Sequence, residues 1–316
     1  MMLGGQRVVV VVPAYNAERT IEATIAEIDF NIVDRVIVAD DASHDHTVQR
    51  AKGCNALVVT HQKNQGYGAN QRTCYGLALD DHADIVVMVH GDYQYSPRLI
   101  PALAGLIASG HYDMALGSRI LGNGAREGGM PWWRYLANRV LTAFENAVVG
   151  QKLSEYHTGL RAFSRDLLMS MPFNQFSNDF VFDSEALAYA VASGARIGEV
   201  SCPTRYSPES SSISFRRSIR YGLGVVRTSL ACRRSLDGHG RGIFTGVTKA
   251  VHGERSSLPP VAKTVELHDS RPTSHSLREV GSVGDGDRTE ILGADKPALV
   301  GTPLGERAQM PSTRAI

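Results

Sequence analysis

Cysteine is scarce in this sequence, and the few cysteines present are too widely spaced to act together. The four of them, Cys54, Cys74, Cys202 and Cys232, form no CxxC pair. This spacing argues against both a disulfide framework and a zinc site. We recognise no secretory leader ahead of them, so we expect a reducing cytoplasm as the compartment.

Long hydrophobic runs are also missing. The apolar segments 8–12 and 85–89 have the length of β-strands, far below the roughly 20 residues that a membrane-spanning helix needs. We therefore expect no transmembrane segment. The formal net charge of only +1 provides no overall attraction to nucleic acid, so nucleic acid is not an expected partner.

Short β-branched runs alternate with longer amphipathic segments from residue 7 to about residue 206. This alternation predicts an α/β domain in which helices cover both faces of a mostly parallel, twisted sheet. The expected strands are 7–12, 35–39, 56–60, 84–89, 112–117 and 195–200. The expected helices are 18–28, 69–80, 97–109, 135–148 and 184–193.

The composition changes beyond Leu236. Gly, Ser, Pro, Thr and alternating charges dominate there, and Phe244 is the only aromatic residue. Such a composition favours disorder. We therefore expect a catalytic domain over 1–215, a basic amphipathic helix over 216–235 and a disordered tail over 236–316.

Polar residues directly follow three of the predicted strands. The three segments are Pro13-Ala14-Tyr15-Asn16, Asp40-Asp41-Ala42-Ser43-His44-Asp45 and His90-Gly91-Asp92-Tyr93-Gln94. Ligands of open α/β sheets bind beyond the carboxyl ends of the strands. Taken alone, the segment 40–45 is also typical of a turn that caps a helix. Together, the three segments predict a nucleotide pocket.

The motifs PAYN, DDASHD, NQGYGAN and HGDYQ, in this order, resemble those of the family 2 glycosyltransferases. The likeness is to the dolichol-phosphate mannose synthase and polyprenyl-phosphate glycosyltransferase branch, whose members carry PAYNE, DDGSTD, NxGKG and DxDxQ. It continues through GSR at 117–119 and HTGLRAFSR at 157–165, and covers about residues 7–215. The resemblance implies the nucleotide-diphospho-sugar transferase fold and a UDP- or GDP-linked sugar as donor.

The resemblance also implies where the donor binds. Asp40 or Asp41 would accept a hydrogen bond from a ring N–H or a ribose hydroxyl. Glycines in the NQGYG turn would let the backbone approach the donor, although a plain loop before a helix has the same pattern. The expected donor-binding residues are Pro13, Tyr15, Asn16, Asp40, Asp41, Asn64, Gly66, Gly68, Gly91, Arg161 and Arg165.

A divalent cation is expected beside the donor. Asp92 and Gln94 lie two positions apart after a strand, so both side-chain oxygens can face one Mg²⁺ or Mn²⁺ ion, which prefers oxygen ligands. Asp92 could instead cap the helix that begins near Pro97, although it lies rather far upstream. His90 replaces the first Asp of DxD, and it is expected as a further metal ligand, a ribose contact or a structural group. Tyr67 replaces the Lys of NxGKG, which removes a phosphate-facing charge.

Arginines at the matching motif positions would hold the acceptor phosphate. The candidates are Arg119, Arg161, Arg165 and Arg205, because arginine binds phosphate oxygens in a bidentate fork. We expect Arg119 and Arg205 to reach the acceptor first. The small polar residues 207–214 resemble the mobile lid of these enzymes.

A sugar hydroxyl as acceptor would instead require a general base. Asp183 and Glu185 are the candidates for that role. They are equally typical of acidic residues in the first turn of a helix, where the helix dipole favours them. The sequence leaves both interpretations open.

Six arginines and no acidic residue lie between Glu209 and Asp237. Interleaved with apolar residues, these arginines predict a helix suited to an anionic membrane surface. A helix packed on the domain with a solvated arginine face has the same pattern. Trp132 and Trp133 favour an interface, although a buried pair explains them as well.

These features predict a metal-dependent, inverting transfer of a hexose to a dolichyl or undecaprenyl (polyprenyl) phosphate. The enzyme would act peripherally at the inner, cytoplasmic face of the cell membrane. Three alternatives stay open: a glycosyltransferase with a hydroxyl acceptor in cell-surface polysaccharide synthesis, a nucleotidyltransferase, and a non-catalytic sugar-nucleotide-binding protein. The nucleotidyltransferase is disfavoured because its Gly-rich, basic loop is absent after the first strand. His90 and Tyr67 motivate the non-catalytic alternative.

Overall fold

A seven-stranded mixed sheet forms the centre of the protein. The structure is a computed structural model that describes residues 3–206 and 215–247. The strands are β1 (Val8–Ala14), β2 (Arg35–Asp40), β3 (Leu57–Thr60), β4 (Ile85–Val89), β5 (Met114–Ser118), β6 (Leu160–Ser164) and β7 (Ile197–Ser201). Their order in the sheet is β3-β2-β1-β4-β6-β5-β7.

Helices cover the two faces of this sheet. They are α1 (Ile21–Ala26), α2 (Thr47–Lys52), α3 (Tyr67–Asp80), α4 (Ile100–Ala108), α5 (Gly124–Glu127), α6 (Trp132–Val149), α7 (Arg165–Ser170), α8 (Val181–Ala192) and α9 (Phe215–Leu236). Three short 3₁₀ segments, Pro97–Leu99, Phe173–Gln175 and Gly242–Phe244, complete the described elements.

The valine run of β1 shows how the sequence forms two cores. Successive side chains of a strand point to opposite faces. Val9 and Val11 lie in the core beneath α3 and α8, while Val8, Val10 and Val12 lie in the core beneath α1 and α4. A central strand that is buried on both faces is continuously apolar for this reason. The expected α/β class, with a mostly parallel sheet, is confirmed.

The strand β6 is missing from the sequence-based prediction. It runs antiparallel to both β4 and β5, and in its register Leu160 pairs with Val89 while Ser164 pairs with Ile85. The start of β6 therefore lies at the carboxyl end of β4, and its own end lies at the opposite edge of the sheet. This reversal decides which residues of the segment 157–165 can reach the site.

The predicted basic helix is present as α9, which packs against α6 and α8. Val225 and Cys232 on its inner side are buried. A Cβ atom on Gly224 would lie 2.4 Å from the Val181 side chain, so this glycine permits the close approach to α8. Among the described residues, none of the helices has the length and apolar character needed to cross a membrane.

The predicted tail begins too early. Phe244, which the composition assigned to it, is only 2% exposed and belongs to the core beneath α8 and α9. The part of the chain that packs on this core therefore extends at least to Val247, which also contacts it. The expected lid at 207–214 and the remainder of the tail, 248–316, lie outside the described residues.

Candidate active site

The carboxyl ends of β1 and β2 form one open surface. Pro13 lies within β1, paired with Ala39 of β2. Tyr15 follows with 48% of its surface exposed, and its ring lies edge-on to the ring of His44 at 6.5 Å. Asn16 has a positive φ of 49°, and its Oδ1 accepts a hydrogen bond from the His44 N–H at 3.0 Å. This surface offers an exposed aromatic ring and a fixed turn.

The two aspartates after β2 bind the protein itself. Asp40 is fully buried and accepts hydrogen bonds from the Ser43 N–H at 3.0 Å and from its hydroxyl. Asp41 accepts hydrogen bonds from His61 Nδ1 at 2.8 Å and from the Gly66 N–H at 2.9 Å. The side chain of the exposed Asn64 donates to the backbone carbonyl of Asp41 at 3.3 Å. In this structure the two carboxylates thus shape the turn and hold the loop before α3.

Gly66 and Gly68 bring the chain close to its own backbone. A Cβ atom on Gly66 would lie 2.6 Å from the Asn178 carbonyl oxygen. On Gly68 it would lie 2.2 Å from the Ser177 carbonyl oxygen. The segment before α8 therefore fills the space at the Cβ position of both glycines, and the close approach that they permit in this structure is to the protein's own backbone. Gly91, in contrast, accepts a hydrogen bond from the Thr20 hydroxyl at 2.7 Å through its carbonyl.

A hydrogen-bonded chain crosses the site from α8 to the end of β4. The Tyr67 hydroxyl donates to Asp183 Oδ2 at 2.7 Å and lies 2.7 Å from His90 Nε2. The other oxygen of Asp183 accepts from Gln71 Nε2 at 2.9 Å. Tyr67 also stacks on Phe180, with ring centroids 4.7 Å apart. Sequence reasoning treated Tyr67 only as a missing lysine, whereas the structure makes it the centre of this chain.

Burial shifts the pKa of two residues in this hydrogen-bonded network, Tyr67 and His90. Burial, reinforced by the Asp183 carboxylate, raises the pKa of Tyr67 well above its usual value, so its hydroxyl stays protonated. Burial also lowers the pKa of His90, although the charges of Asp92 and Asp183 oppose this effect. The ring of His90 packs on Gly159, where a Cβ atom would lie 2.3 Å from its Cε1.

Asp92 and Gln94 follow β4 as expected. Asp92 Oδ1 accepts a hydrogen bond from the Gln94 N–H at 3.2 Å, and Gln94 is buried. Between them, Tyr93 adopts a positive φ of 56°, a costly conformation for this residue type. Its hydroxyl donates to Glu27 Oε1 at 2.6 Å, which ties the strained turn to the end of α1.

The few possible metal ligands at this turn fit a cation that takes most of its ligands from substrate phosphates and water. The described residues contain no group of three or more His, Cys, Asp or Glu side chains that could hold a metal ion. One carboxylate, one amide oxygen and one imidazole are nevertheless close in sequence at 90–94. Mg²⁺ is commonly bound by one or two protein ligands together with substrate phosphates and water. The residues thus fit a metal that arrives with a diphosphate.

Arg119 is a buried structural residue. Its Nε donates to Glu155 Oε1 at 2.8 Å, its Nη2 also contacts that oxygen, and its Nη1 donates to the Tyr206 hydroxyl at 2.9 Å. Glu155 further accepts from Asn138 Nδ2 at 2.9 Å. The expectation that Arg119 is among the first to reach an acceptor phosphate is corrected, because Glu155 occupies its guanidinium. No sequence signal marked Glu155.

Two more arginines are placed differently from the sequence prediction. Arg161 is fully buried and donates to backbone carbonyls, including that of Asp183 at 2.8 Å. Arg165 donates to the carbonyls of Leu79 and Ala83, both at 3.1 Å. Because β6 is antiparallel, Arg165 lies at the opposite edge of the sheet, and its assignment to the donor site is wrong. Arg161 supports the site from beneath rather than facing a ligand.

Of the four candidate arginines for the acceptor phosphate, Arg205 has an exposed side chain. Its guanidinium lies over the ring of Tyr93 at 4.8 Å, and its backbone N–H donates to the Gln94 carbonyl at 3.1 Å. A cavity of about 280 Å³ adjoins it, also lined by Ser96 and Arg98. Among the described residues, no carboxylate forms an ion pair with Arg205.

The two candidate bases point to different neighbours. Both oxygens of Asp183 accept hydrogen bonds from α3, as described above. Glu185 Oε2 accepts a hydrogen bond from the Ser177 N–H at 2.6 Å, and burial raises the pKa of Glu185. The two residues therefore form no pair.

Comparison with known sequences identifies a matching family and individual relatives. The profile of Glycosyl transferase family 2 matches residues 9–171. A UDP-N-acetylglucosamine–dolichyl-phosphate N-acetylglucosaminyltransferase of Methanococcus voltae is 27% identical over 62% of this chain and 85% of its own length. The low-salt glycan biosynthesis hexosyltransferase Agl6 of Haloferax volcanii is 32% identical over 63% of this chain. This chain covers only 47% of that protein.

Solved structures share the fold. Glucosyl-3-phosphoglycerate synthase of Mycobacterium tuberculosis, crystallised with UDP, superposes with a TM-score of 0.55 at 24% identity. The match covers 73% of this chain and 81% of the synthase. A further crystal structure of the same synthase, with a TM-score of 0.53, contains Mn²⁺ and UDP-glucose.

Proposed function

This chain belongs to glycosyl transferase family 2, whose profile matches more than half of it, and from this premise we propose that it transfers a hexose from a nucleotide-diphosphate sugar to a polyprenyl phosphate. It has the nucleotide-diphospho-sugar transferase fold, as the solved synthase does. A phosphate oxygen of the acceptor would form a bond to the anomeric carbon while the bond to the diphosphate breaks. Attack from the opposite face inverts that carbon.

The hydrogen bonds that Asp183 and Glu185 already accept favour a phosphate acceptor over a hydroxyl acceptor. A hydroxyl acceptor needs a base to take its proton, but Asp183 is engaged by Tyr67 and Gln71, and Glu185 by a backbone N–H. A phosphate monoester is already ionised at neutral pH, so positioning alone is sufficient. The name of the Methanococcus relative, which acts on dolichyl phosphate, agrees with this choice.

The donor would occupy the surface at the ends of β1, β2 and β4. Tyr15 offers its exposed ring to the base, and Asn16 borders the same turn. Asp92 and Gln94, with His90 beside them, would hold Mg²⁺ or Mn²⁺. When bound, such a cation would offset the negative charge of the diphosphate and of the departing nucleotide. A UDP-sugar is the first donor to test, because a relative is named for one; a GDP-sugar is the alternative.

Arg205 is our candidate for the acceptor phosphate. Its guanidinium lies at the surface beside the cavity that Arg98 also lines. Arginine is suited to phosphate because its planar fork donates two parallel hydrogen bonds. Arg119 would support this region only indirectly, through the Tyr206 hydroxyl next to Arg205 in sequence.

A peripheral membrane contact would bring the enzyme to its lipid acceptor. α6 exposes Trp132, Trp133, Leu136 and Val140, and the adjacent α9 exposes Ile219, Leu223 and Leu230. Arginines lie between the apolar residues of α9. Such a surface suits the anionic, cytoplasmic face of a membrane.

A transfer assay on the full chain tests the proposed acceptor. With UDP-sugar and Mn²⁺, product should form on polyprenyl phosphate and not on a sugar hydroxyl. Arg205→Ala should reduce that transfer sharply, whereas Glu185→Gln should have a mild effect. The reverse pattern, with an indispensable carboxylate and a hydroxyl product, would replace the lipid phosphate by a sugar acceptor. Donor binding without any turnover would instead indicate a non-catalytic protein.

A further inference from the structure

We infer that Tyr67 is a positioning residue that fixes the tautomer of His90 and so makes Nδ1 of His90 a nitrogen ligand for the divalent cation of the donor site. The inference rests on the proposed function, because it concerns the cation that would accompany the donor. It assigns a role to the two positions at which this chain departs from the motifs NxGKG and DxD.

The hydrogen bonds that join Asp183, Tyr67 and His90 show which ring nitrogen of His90 carries the proton. Tyr67 has a single hydroxyl proton, and it is donated to the Asp183 carboxylate at 2.7 Å. That carboxylate also accepts from Gln71 and lies 3.9 Å from the guanidinium of Arg161, so it acts as an acceptor throughout. The contact of 2.7 Å between Tyr67 and His90 Nε2 therefore requires a proton on Nε2. A neutral imidazole protonated at Nε2 has its lone pair on Nδ1.

The surroundings of the ring hold this arrangement in place. Tyr67 and Tyr95 lie edge-on to the ring of His90, with centroids 5.4 Å and 5.7 Å away. Gly159 packs against the face of the ring, since a Cβ atom there would lie 2.6 Å from both Nδ1 and Nε2 of His90. The stacking of Tyr67 on Phe180 in turn holds the phenol. The ring is thus fixed from three sides.

Nδ1 of His90 is left available to a ligand. Within residues 3–206 and 215–247 it has no hydrogen-bond partner, yet it is not one of the buried side-chain atoms that lack a partner. Metal-bound histidines usually donate their other ring N–H to an acceptor, which fixes the tautomer and raises the basicity of the ligand. Tyr67, backed by Asp183, is such an acceptor for His90.

A nitrogen ligand changes which metals suit the site. Imidazole nitrogen favours transition metals, whereas Mg²⁺ prefers carboxylate, carbonyl and water oxygens. His90 together with Asp92 should therefore bind Mn²⁺ and Co²⁺ better, relative to Mg²⁺, than two carboxylates at the same positions would. His90→Asp is expected to shift this preference toward Mg²⁺.

Mn²⁺ binding to the full chain in the presence of UDP, without acceptor, tests the inference. Pulsed electron paramagnetic resonance on protein labelled with ¹⁵N-histidine should show a directly coordinated histidine nitrogen, which His90→Asp removes. Tyr67→Phe keeps the ring and its stacking but loses both hydrogen bonds. It should weaken Mn²⁺ binding by roughly 10- to 100-fold while leaving metal-free UDP binding unchanged.

Tyr189→Phe is the matched control, because it removes a hydroxyl of α8 that donates to the Ser170 carbonyl of α7 and has no contact with His90. It should leave Mn²⁺ affinity unchanged, and cooperative thermal unfolding would show that each variant folds. The inference is overturned if no histidine nitrogen is coordinated, if Tyr67→Phe binds Mn²⁺ like the parent, or if the UDP complex binds no metal. Failure of the acceptor assay alone, with the nitrogen signal intact, would overturn only the proposed acceptor.

Discussion

Replacing Arg119 by alanine distinguishes an acceptor-binding role from a structural one. In the structure its guanidinium is paired with Glu155, and both side chains are buried. Burial alone would raise the pKa of Glu155, yet Arg119 outweighs that effect and holds the pKa below its usual value. Arg119→Ala would leave this carboxylate charged, buried and short of donors.

The expected loss in the free energy of unfolding is large. Breaking a buried ion pair by removing one partner destabilises a protein by about 3–5 kcal/mol. For a domain of this size, each kcal/mol lowers Tm by roughly 2–4 °C. Glu155→Gln should have a comparable effect. The double variant Arg119→Ala/Glu155→Gln should be more stable than the sum of the single effects predicts, because no uncompensated charge remains.

Denaturant unfolding of the four proteins, compared as a double-mutant cycle, provides the measurement. The same pair also predicts a pH dependence. Since the pKa of Glu155 is lower in the folded state, its contribution is present above the usual glutamate value of 4.5 and is lost as the pH falls through the folded-state pKa. Glu155→Gln should remove that acid sensitivity. A stable Arg119→Ala protein that has lost only its affinity for polyprenyl phosphate would refute the structural assignment.

Three further predictions concern the metal, the residues around Phe244 and the membrane. Asp92→Asn should abolish metal-dependent transfer, since the amide lacks the charge that the cation requires, whereas His90→Ala should cost less; metal titrations of activity measure both. Deleting 248–316 should leave the free energy of unfolding nearly unchanged, whereas Phe244→Ala should lower it by about 3–5 kcal/mol because a buried ring is lost. If Phe244→Ala were as stable as the parent protein, Phe244 would not be part of the folded core. Binding to anionic liposomes should weaken with added salt and with Trp132→Ala; binding that is indifferent to both would exclude this surface as the contact.

The strands of the sheet were largely predictable because their apolar runs are distinct. The predicted run 84–89 differs from β4 by a single residue, and the position of Asp92 after it follows directly. β6 was not predictable in the same way. Its five residues include the charged Arg161 at the second position, and only the pairing with β4 and β5 makes them a strand. The wrong placement of Arg165 follows from that omission.

The roles of individual polar residues depended on partners distant in sequence. Arg119 matched a phosphate-binding motif, but Glu155, 36 positions away, determines what it binds. Tyr67 departed from a motif, but its partner Asp183 lies 116 positions away. Spacing along the chain contains no information about such pairings. Motifs therefore predicted a site at the ends of β1, β2 and β4, which are neighbours in the sheet, but the partners of each side chain there could be read only from the fold.

The position of β6 in the sheet has a consequence for the order in which the protein folds. β3, β2, β1 and β4 are neighbours in the sheet and consecutive in sequence, so residues 8–89 can form a parallel sheet as soon as they are synthesised. β5 has no place beside β4 until β6 has been made and inserted between them. Gly159, at the entry to β6, then closes over His90. The surface at the ends of β1 and β2, where we propose that the donor binds, should thus form early in synthesis, and the arrangement around His90 should be among the last parts of the candidate site to form.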